Sequence, residues 1–262
     1  MSDVIIQALQ KALELIFSGN SEVYGTVYRS LYVTGVGTLL ACSWSIPIAM
    51  VLGLHSFRGK WLIKGIFNSL IGVPTVALGL ILYLFMSRQG LFGFLHLLYT
   101  VNGIAIGQSI LVTPLIVSFT GSALGAADVQ LRDLAKTLGA SRLGTNLVIV
   151  RETVWSIVLA ITAAFNRGFG ELGVAMMIGG NLFQETRVLT TAIALETNLG
   201  QFEVAMAYAI ILMVIVVAIT LTLNLVERLR QEERFWTWTG SWVVWHETNN
   251  RRRLRQWKQD SN

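Results

Sequence analysis

"SLYVTGVGTLLACSWSIPIAMVLGL", residues 30–54, contains no charged side chain and is long enough to cross a bilayer as a helix, which takes about 20 apolar residues. Residues 65–87, 103–124 and 204–226 repeat the pattern without a charge, and residues 153–177 repeat it with only Arg167 and Glu171. Five spans are therefore predicted. Composition agrees: 53% of the 262 residues are hydrophobic and 13% charged, against about 25% charged in a soluble domain. The chain reads as an all-α integral membrane protein. Its single cysteine, Cys42, lies inside the first span; it excludes a disulfide framework and a cysteine-based metal site, and reads as a small packing residue.

Lys and Arg favour the cytoplasmic loops. Fifteen of the twenty basic residues fall on one side. Arg58, Lys60 and Lys64 follow the first span, and Arg132, Lys136, Arg142 and Arg151 follow the third. Eight more lie after residue 227. The other side holds Lys11, Arg29, Arg88 and Arg187. This bias predicts a cytoplasmic C-terminus, and five spans then place the N-terminus outside. The start has no basic n-region or small-residue cleavage site, so it does not read as a signal peptide. Val4, Ile5, Ala8, Leu9, Ala12, Leu13 and Ile16 instead form a helical stripe, predicting an amphipathic helix on the membrane or against the bundle. The expected organisation is an N-terminal helix and outer segment at 1–28, a membrane domain at 29–227 and a polar tail at 228–262. Pro47, Pro74 and Pro114 fall one in each of the first three spans, where each predicts a kink. Gly121 and Gly125 form a small-xxx-small pair that permits close helix contact.

The loop at 127–152 carries its own pattern. Asp128 is a good N-cap. Leu131, Leu134, Ala135 and Leu138 then form one apolar stripe. Gly139 suits the left-handed residue that ends a helix, and Ser141 can cap a second helix through Leu147. A helix–turn–helix with a displayed apolar face either binds a partner or tucks against its own bundle.

"RDLAKTLGASRLGTNLVIV", residues 132–150, resembles the cytoplasmic signature of ABC-importer permeases. Asp133, Leu134 and Ala135 stand at the acidic-small-small positions, Gly139 is the signature glycine and Ile149 the isoleucine. Leu134 replaces the usual alanine, and Arg151-Glu152 replaces the usual Leu-Pro close. "GVPTVALGLILYLFMSRQGLFG", "RGFGELGVAMMIGGN" and "GGNLFQETRVLTTAIALET" extend the resemblance to the oxyanion group: tungstate permeases first, with molybdate and sulfate permeases beside them. It runs from about Leu13 to Leu225; Pro74-Thr75 stands where the group has Pro-Pro, and the tail has no counterpart. The resemblance implies a type I importer bundle and a homodimer with the pathway between its copies. It also implies an ATPase docked on the coupling helix at Asp133, Leu134, Ala135, Leu138, Gly139, Ala140 and Ser141. A periplasmic or lipid-anchored binding protein would deliver the oxyanion, with the permease in a bacterial inner membrane.

The residues fit that division of labour. The nearest approach to a P-loop, at 53–61, has one spacer too many, and Trp61 replaces the Mg²⁺-binding Ser or Thr. ATP and Mg²⁺ are thus expected on a partner and no cofactor on this chain. An ion-coupled anion transporter is the alternative, but such folds often show internal repeats, and this sequence shows none. His55, His96 and His246 are scattered, the spans hold no metal-ligand cluster or paired carboxylates, and neither an enzyme nor a nucleic-acid partner is expected. A purely structural membrane protein would leave the loop unexplained.

Arg167 and Glu171 sit one helical turn apart and are expected to pair. Pairing offsets the roughly 2.5–3.5 kcal/mol that each charge costs at mid-membrane. They are expected either to staple helices or, with Gly170 and Gly173, to line or gate the pathway. Because Glu171 would repel an anion, gating is the favoured reading over substrate binding. Gly168, Gly170 and Gly173 allow close backbone approach, and Gly179, Gly180 and Asn181 mark a turn. Asn181, Thr186 and Arg187, with Thr190 and Thr191 behind them, are expected at the outer mouth, within reach of an arriving oxyanion or its carrier. Met176 and Met177 read as packing. In the tail, Trp236, Trp238, Trp242 and Trp245 suit a hairpin or the membrane interface. Arg251, Arg252, Arg253, Arg255 and Lys258 suit anionic lipid, and the ATPase is a third candidate contact.

Overall fold

The computed structural model describes residues 2–19, 21–126, 134, 137–226 and 228. The tail readings, and those on Asp128, Leu131, Asp133 and Ala135, lie outside the described residues. The chain divides into two units, Met1–Val216 and Val217–Asn262; the second is described only at 217–226 and 228.

Every long element among the described residues is helical. Helix α1 spans Ser2–Phe17 and α2 spans Ser21–Leu54. Then come α3 (Lys60–Leu70), α4 (Thr75–Met86) and α5 (Val101–Gly125). Beyond the loop lie α6 (Arg142–Glu152), α7 (Val154–Phe169), the short α8 (Gly173–Gly179), α9 (Leu189–Asn198) and α10 (Phe202–Val226). Helices α2, α5 and α10 are each long and apolar enough to cross a membrane; α3 with α4 and α6 with α7 form bent pairs, which bring the number of crossings to five if each is one span. At 1.5 Å per residue α2 is about 51 Å long, more than the roughly 30 Å hydrocarbon core, so Glu22 and Arg29 at its start have room to stand clear of it.

Two expectations are corrected here. Residues 65–87 do not form one kinked helix: α3 and α4 meet at 99°. Pro74, φ −60°, precedes α4 as its N-cap residue. A proline disfavours α geometry in the residue before it and lacks an N–H to continue the ladder, so the chain turns and restarts. Residues 153–177 are likewise not one helix. Helix α7 stops at Phe169 and α8 begins at Gly173, which puts Glu171 in the break and not on a continuous helical face. A second bend, of 59°, separates the α6 helix from α7. The second loop helix runs through Leu147, as expected, and on to Glu152.

Apolar burial against lipid supplies little net drive, so close packing of small residues matters more. A Cβ on Gly37 would lie 2.9 Å from the Ala105 carbonyl oxygen, and one on Gly53 would lie 2.5 Å from Leu124 Cβ. Those positions bring α2 against α5. The expected Gly121–Gly125 pair lies at this crossing, with Gly121 beside Ala49 and Leu52, but in ordinary contact. Pro47 lies within α2 and Pro114 within α5. Phe165 and Phe169 stack at 5.6 Å, and Phe169 packs with Leu189, Ala192, Tyr208 and Ile211, fixing the end of α7.

Candidate functional site

The break at 170–172 is built around one carboxylate. Gly170 closes α7, its N–H donating to Asn166 O at 3.2 Å, and the Glu171 N–H donates to Gly168 O at 3.1 Å. The Glu171 side chain then turns toward the next helix. Its Oε1 accepts the Gly173 N–H at 2.7 Å and the Val174 N–H at 3.2 Å. Its Oε2 accepts from Arg167 Nη1 at 2.9 Å. The Glu171 carbonyl accepts the Thr190 hydroxyl at 2.8 Å, which ties α9 to the break. Arg167 thus stands at a helix C-terminus and Glu171 before a helix N-terminus, where their charges complement the backbone dipoles. The expected pair forms, but the partners differ: 2% of the Glu171 side chain is exposed and 41% of the Arg167 side chain.

Gly173 is where this break meets the other one. A Cβ there would stand 2.7 Å from Thr75 Oγ1 and 2.9 Å from Val76 N. One on Gly79 would meet Met177 and the Gly173 carbonyl at 3.0 and 3.2 Å. The starts of α4 and α8 therefore touch backbone to backbone. Met177 packs on α4 here, in keeping with its reading as a packing residue.

Gln108 was not singled out from the sequence. It is 3% exposed on α5, and its Oε1 would lie 3.6 Å from a Cβ on Gly168. That oxygen has no hydrogen-bond partner among the described residues. An amide side chain in an uncharged span was the available signal.

The α2 start and the turn after α8 form a clasp. Gly180 and Asn181 are left-handed, at φ 68° and 54°. Thr186 is buried; its hydroxyl donates to Gly179 O at 2.6 Å and accepts the Leu182 N–H at 2.9 Å. Arg187 Nη1 donates to Glu22 at 3.0 Å, and its guanidinium lies 5.0 Å from the Phe183 ring centroid. Arg29 donates to the carbonyls of Arg187 and Gln184 and to the Thr26 hydroxyl. Ser30 accepts the Leu189 N–H at 2.8 Å. Asn181, Thr186 and Arg187 are thus brought together; the Thr186 hydroxyl is committed to the turn, whereas Arg187 Nε and Asn181 Oδ1 are buried without a hydrogen-bond partner among the described residues. Glu22, Arg29 and Ser30 were missed because their partners lie about 160 positions away in sequence.

At the opposite end of α2 lies the loop. Gly139 is left-handed at φ 79° with open space around it. The Ser141 hydroxyl accepts the Gly144 N–H at 3.1 Å, capping α6 as expected. Leu134, Leu138, Leu143 and Leu147 are 57%, 79%, 82% and 52% exposed. Ile149, by contrast, is fully buried with Leu124 and Ile157. The loop is anchored at its root and carries an open row of leucines. Ala140 is half-buried beside Gly139. Among the described residues no group of His, Cys, Asp or Glu is placed to hold a metal ion.

Comparison with known proteins supplies the rest. Residues 45–231 match the family described as binding-protein-dependent transport system inner membrane component. The chain is 34% identical over 209 residues to the tungstate uptake system permease protein TupB of Peptoclostridium acidaminophilum, covering 80% of this chain and 92% of that one. It is 31% identical over 209 residues to the protein of the same name from Campylobacter jejuni, covering 80% and 87%. To the molybdenum transport system permease protein ModB of Escherichia coli it is 28% identical over 175 residues, covering 64% and 76%.

Proposed function

The chain belongs to the family of binding-protein-dependent inner membrane components, the permeases of ABC importers, and from that premise we propose that it carries tungstate inward. As a family member it is a non-catalytic, multi-pass subunit of the inner membrane. A partner ATPase supplies the energy and a substrate-binding protein supplies the cargo. This membership removes the ion-coupled transporter from consideration.

The observation that carries the tungstate reading is the 34% identity to a tungstate permease across 92% of that protein. Molybdate has the same tetrahedral shape and charge, so it is the competing cargo. The remaining assignments belong to the same reading. Two copies assemble around a shared pathway, with the N-terminus outside and the C-terminus cytoplasmic. The membrane domain at 29–227 is flanked by the N-terminal segment at 1–28 and a lipid- or ATPase-facing tail at 228–262. Asp133, Leu134, Ala135, Leu138, Gly139, Ala140 and Ser141 form the docking element; the open leucine row supports this reading. Arg167, Gly170, Glu171 and Gly173 border the pathway, supported by the cost of leaving a charge against lipid. Asn181, Thr186 and Arg187 shape the outer mouth, within reach of an arriving oxyanion or its carrier.

The test is uptake by proteoliposomes holding the permease, its ATPase and its binding protein, with tungstate, molybdate and sulfate offered side by side. ATP-dependent tungstate accumulation that survives an uncoupler is expected. Preference for molybdate or sulfate would overturn the substrate, and uptake abolished by the uncoupler would overturn the mechanism.

A further inference from the structure

The Arg167–Glu171 contact looks like a neutralised pair, yet its two members are not equivalently engaged. Glu171 is buried and accepts three hydrogen bonds, two of them from the backbone at the start of α8. Its negative charge is therefore already complemented by a helix N-terminus. Arg167 uses one nitrogen, Nη1, on Oε2 of that carboxylate. A guanidinium carries five N–H donors, and those on Nε and Nη2 have no partner among the described residues. Arg29 commits all three of its nitrogens within the chain. Arg167 is thus a cation held in place by a carboxylate whose charge is shared with the backbone behind it.

Its direction follows from α7. Ile157, Ala160, Ala164 and Gly168 form one buried stripe of this helix, and Thr162 and Phe169 are buried on another of its faces. Ser156, Leu159, Arg167 and Gly170 are exposed along the other side, with Ala163 half-buried between them. Arg167 lies about 20 Å along α7 from Val154, within the span of a roughly 30 Å hydrocarbon core. A guanidinium with free donors at that depth does not face acyl chains; it faces water or another polar surface.

Resting on the reading of this chain as an oxyanion permease, we infer that Arg167 is the residue that contacts the oxyanion during passage, and that Glu171 is its positioning residue. A planar guanidinium offers paired donors that match adjacent oxygens of a tetrahedral dianion. The nearby carboxylate keeps that attraction weak enough for release. Glu171 therefore sets the position and the strength of the contact without touching the cargo.

The experiment uses the assembled importer in proteoliposomes. Arg167→Gln is expected to lower tungstate uptake about tenfold or more, the loss of one charge-assisted contact, while the subunit still co-purifies with its ATPase. Arg167→Lys, which keeps the charge but not the fork, is expected to fall between Gln and wild type. In a Cys42→Ser background, Arg167→Cys is expected to react with a negatively charged, membrane-impermeant thiol reagent, and tungstate to slow that reaction. Wild-type uptake in Arg167→Gln, loss of ATPase co-purification in the same variant, or an Arg167→Cys thiol unreactive from water would each overturn the inference. Failure of the unmodified importer to take up any of the three oxyanions would instead overturn the permease reading itself. Reactivity at position 167 would still report whether that side chain meets water.

Discussion

Glu171 fixes three things at once: the start of α8, the guanidinium of Arg167 and, through its carbonyl, the Thr190 hydroxyl of α9. Removing the two partners therefore has unequal consequences. Glu171→Ala leaves the Gly173 and Val174 N–H groups buried without acceptors, at about 1–3 kcal/mol each. Arg167 is partly exposed and finds water. Arg167→Ala removes one charge-assisted hydrogen bond, about 1.5–3 kcal/mol, and leaves the carboxylate with two donors. The thermal midpoint of the purified subunit in detergent is expected to fall further for Glu171→Ala than for Arg167→Ala. The double variant is expected to stay within about 0.5 kcal/mol of Glu171→Ala, because its coupling partner is already gone. Equal single effects would show that the carboxylate does not cap α8, and a double variant matching their sum would show that the two side chains are not coupled. The spacing of the two residues made their pairing legible in the sequence. The inequality was not, since the second set of donors comes from backbone freed by a helix break.

The two helix breaks decide how the elements meet, and sequence reasoning located neither correctly. Pro74 was visible as a breaker, but a proline inside an uncharged run reads equally as a kink or a restart; the distinction depends on where α4 packs. The break at 170–172 was hidden further. Gly168, Gly170 and Gly173 gave no stop signal, because in membranes glycine is tolerated inside helices. What ends α7 is the capture of the α8 amides by Glu171, which no periodicity encodes. By contrast, Gly139 and Ser141 were legible as helix end and helix start, because both act through local backbone geometry. The contact between the breaks predicts a matched pair of variants. Gly173→Ala drives a methyl against Thr75 Oγ1 and the Val76 backbone, and is expected to destabilise the subunit by about 1–3 kcal/mol, as overpacking does. Gly35→Ala, where nothing lies within 4 Å, is expected to be neutral or stabilising by about 0.5–1 kcal/mol, the helical preference for alanine. Thermal denaturation of the two proteins side by side decides it, and similar midpoints would mean that the α4–α8 contact yields freely.

For the molecule as a whole, the charge bias and the leucine row point to the same face. Basic residues accumulate in the segments around residues 58–64 and 132–151, and Leu134, Leu138, Leu143 and Leu147 stand exposed in the second of them. An apolar row that is anchored through Ile149 yet uncovered fits the proposed docking of the partner ATPase at this turn. Gly139 controls its shape, because at φ 79° the turn is easy for glycine and strained for a β-branched residue. Gly139→Val is therefore expected to insert normally and lose ATPase co-purification. Leu138→Cys, in the Cys42→Ser background, reports orientation and docking together. With a cytoplasmic loop, an impermeant thiol reagent labels it in inside-out vesicles and not in right-side-out ones. Adding the ATPase to stripped inside-out vesicles should then suppress the labelling. Labelling confined to right-side-out vesicles would reverse the topology. Labelling in inside-out vesicles that is indifferent to the ATPase would keep the topology and move the docking surface away from this turn.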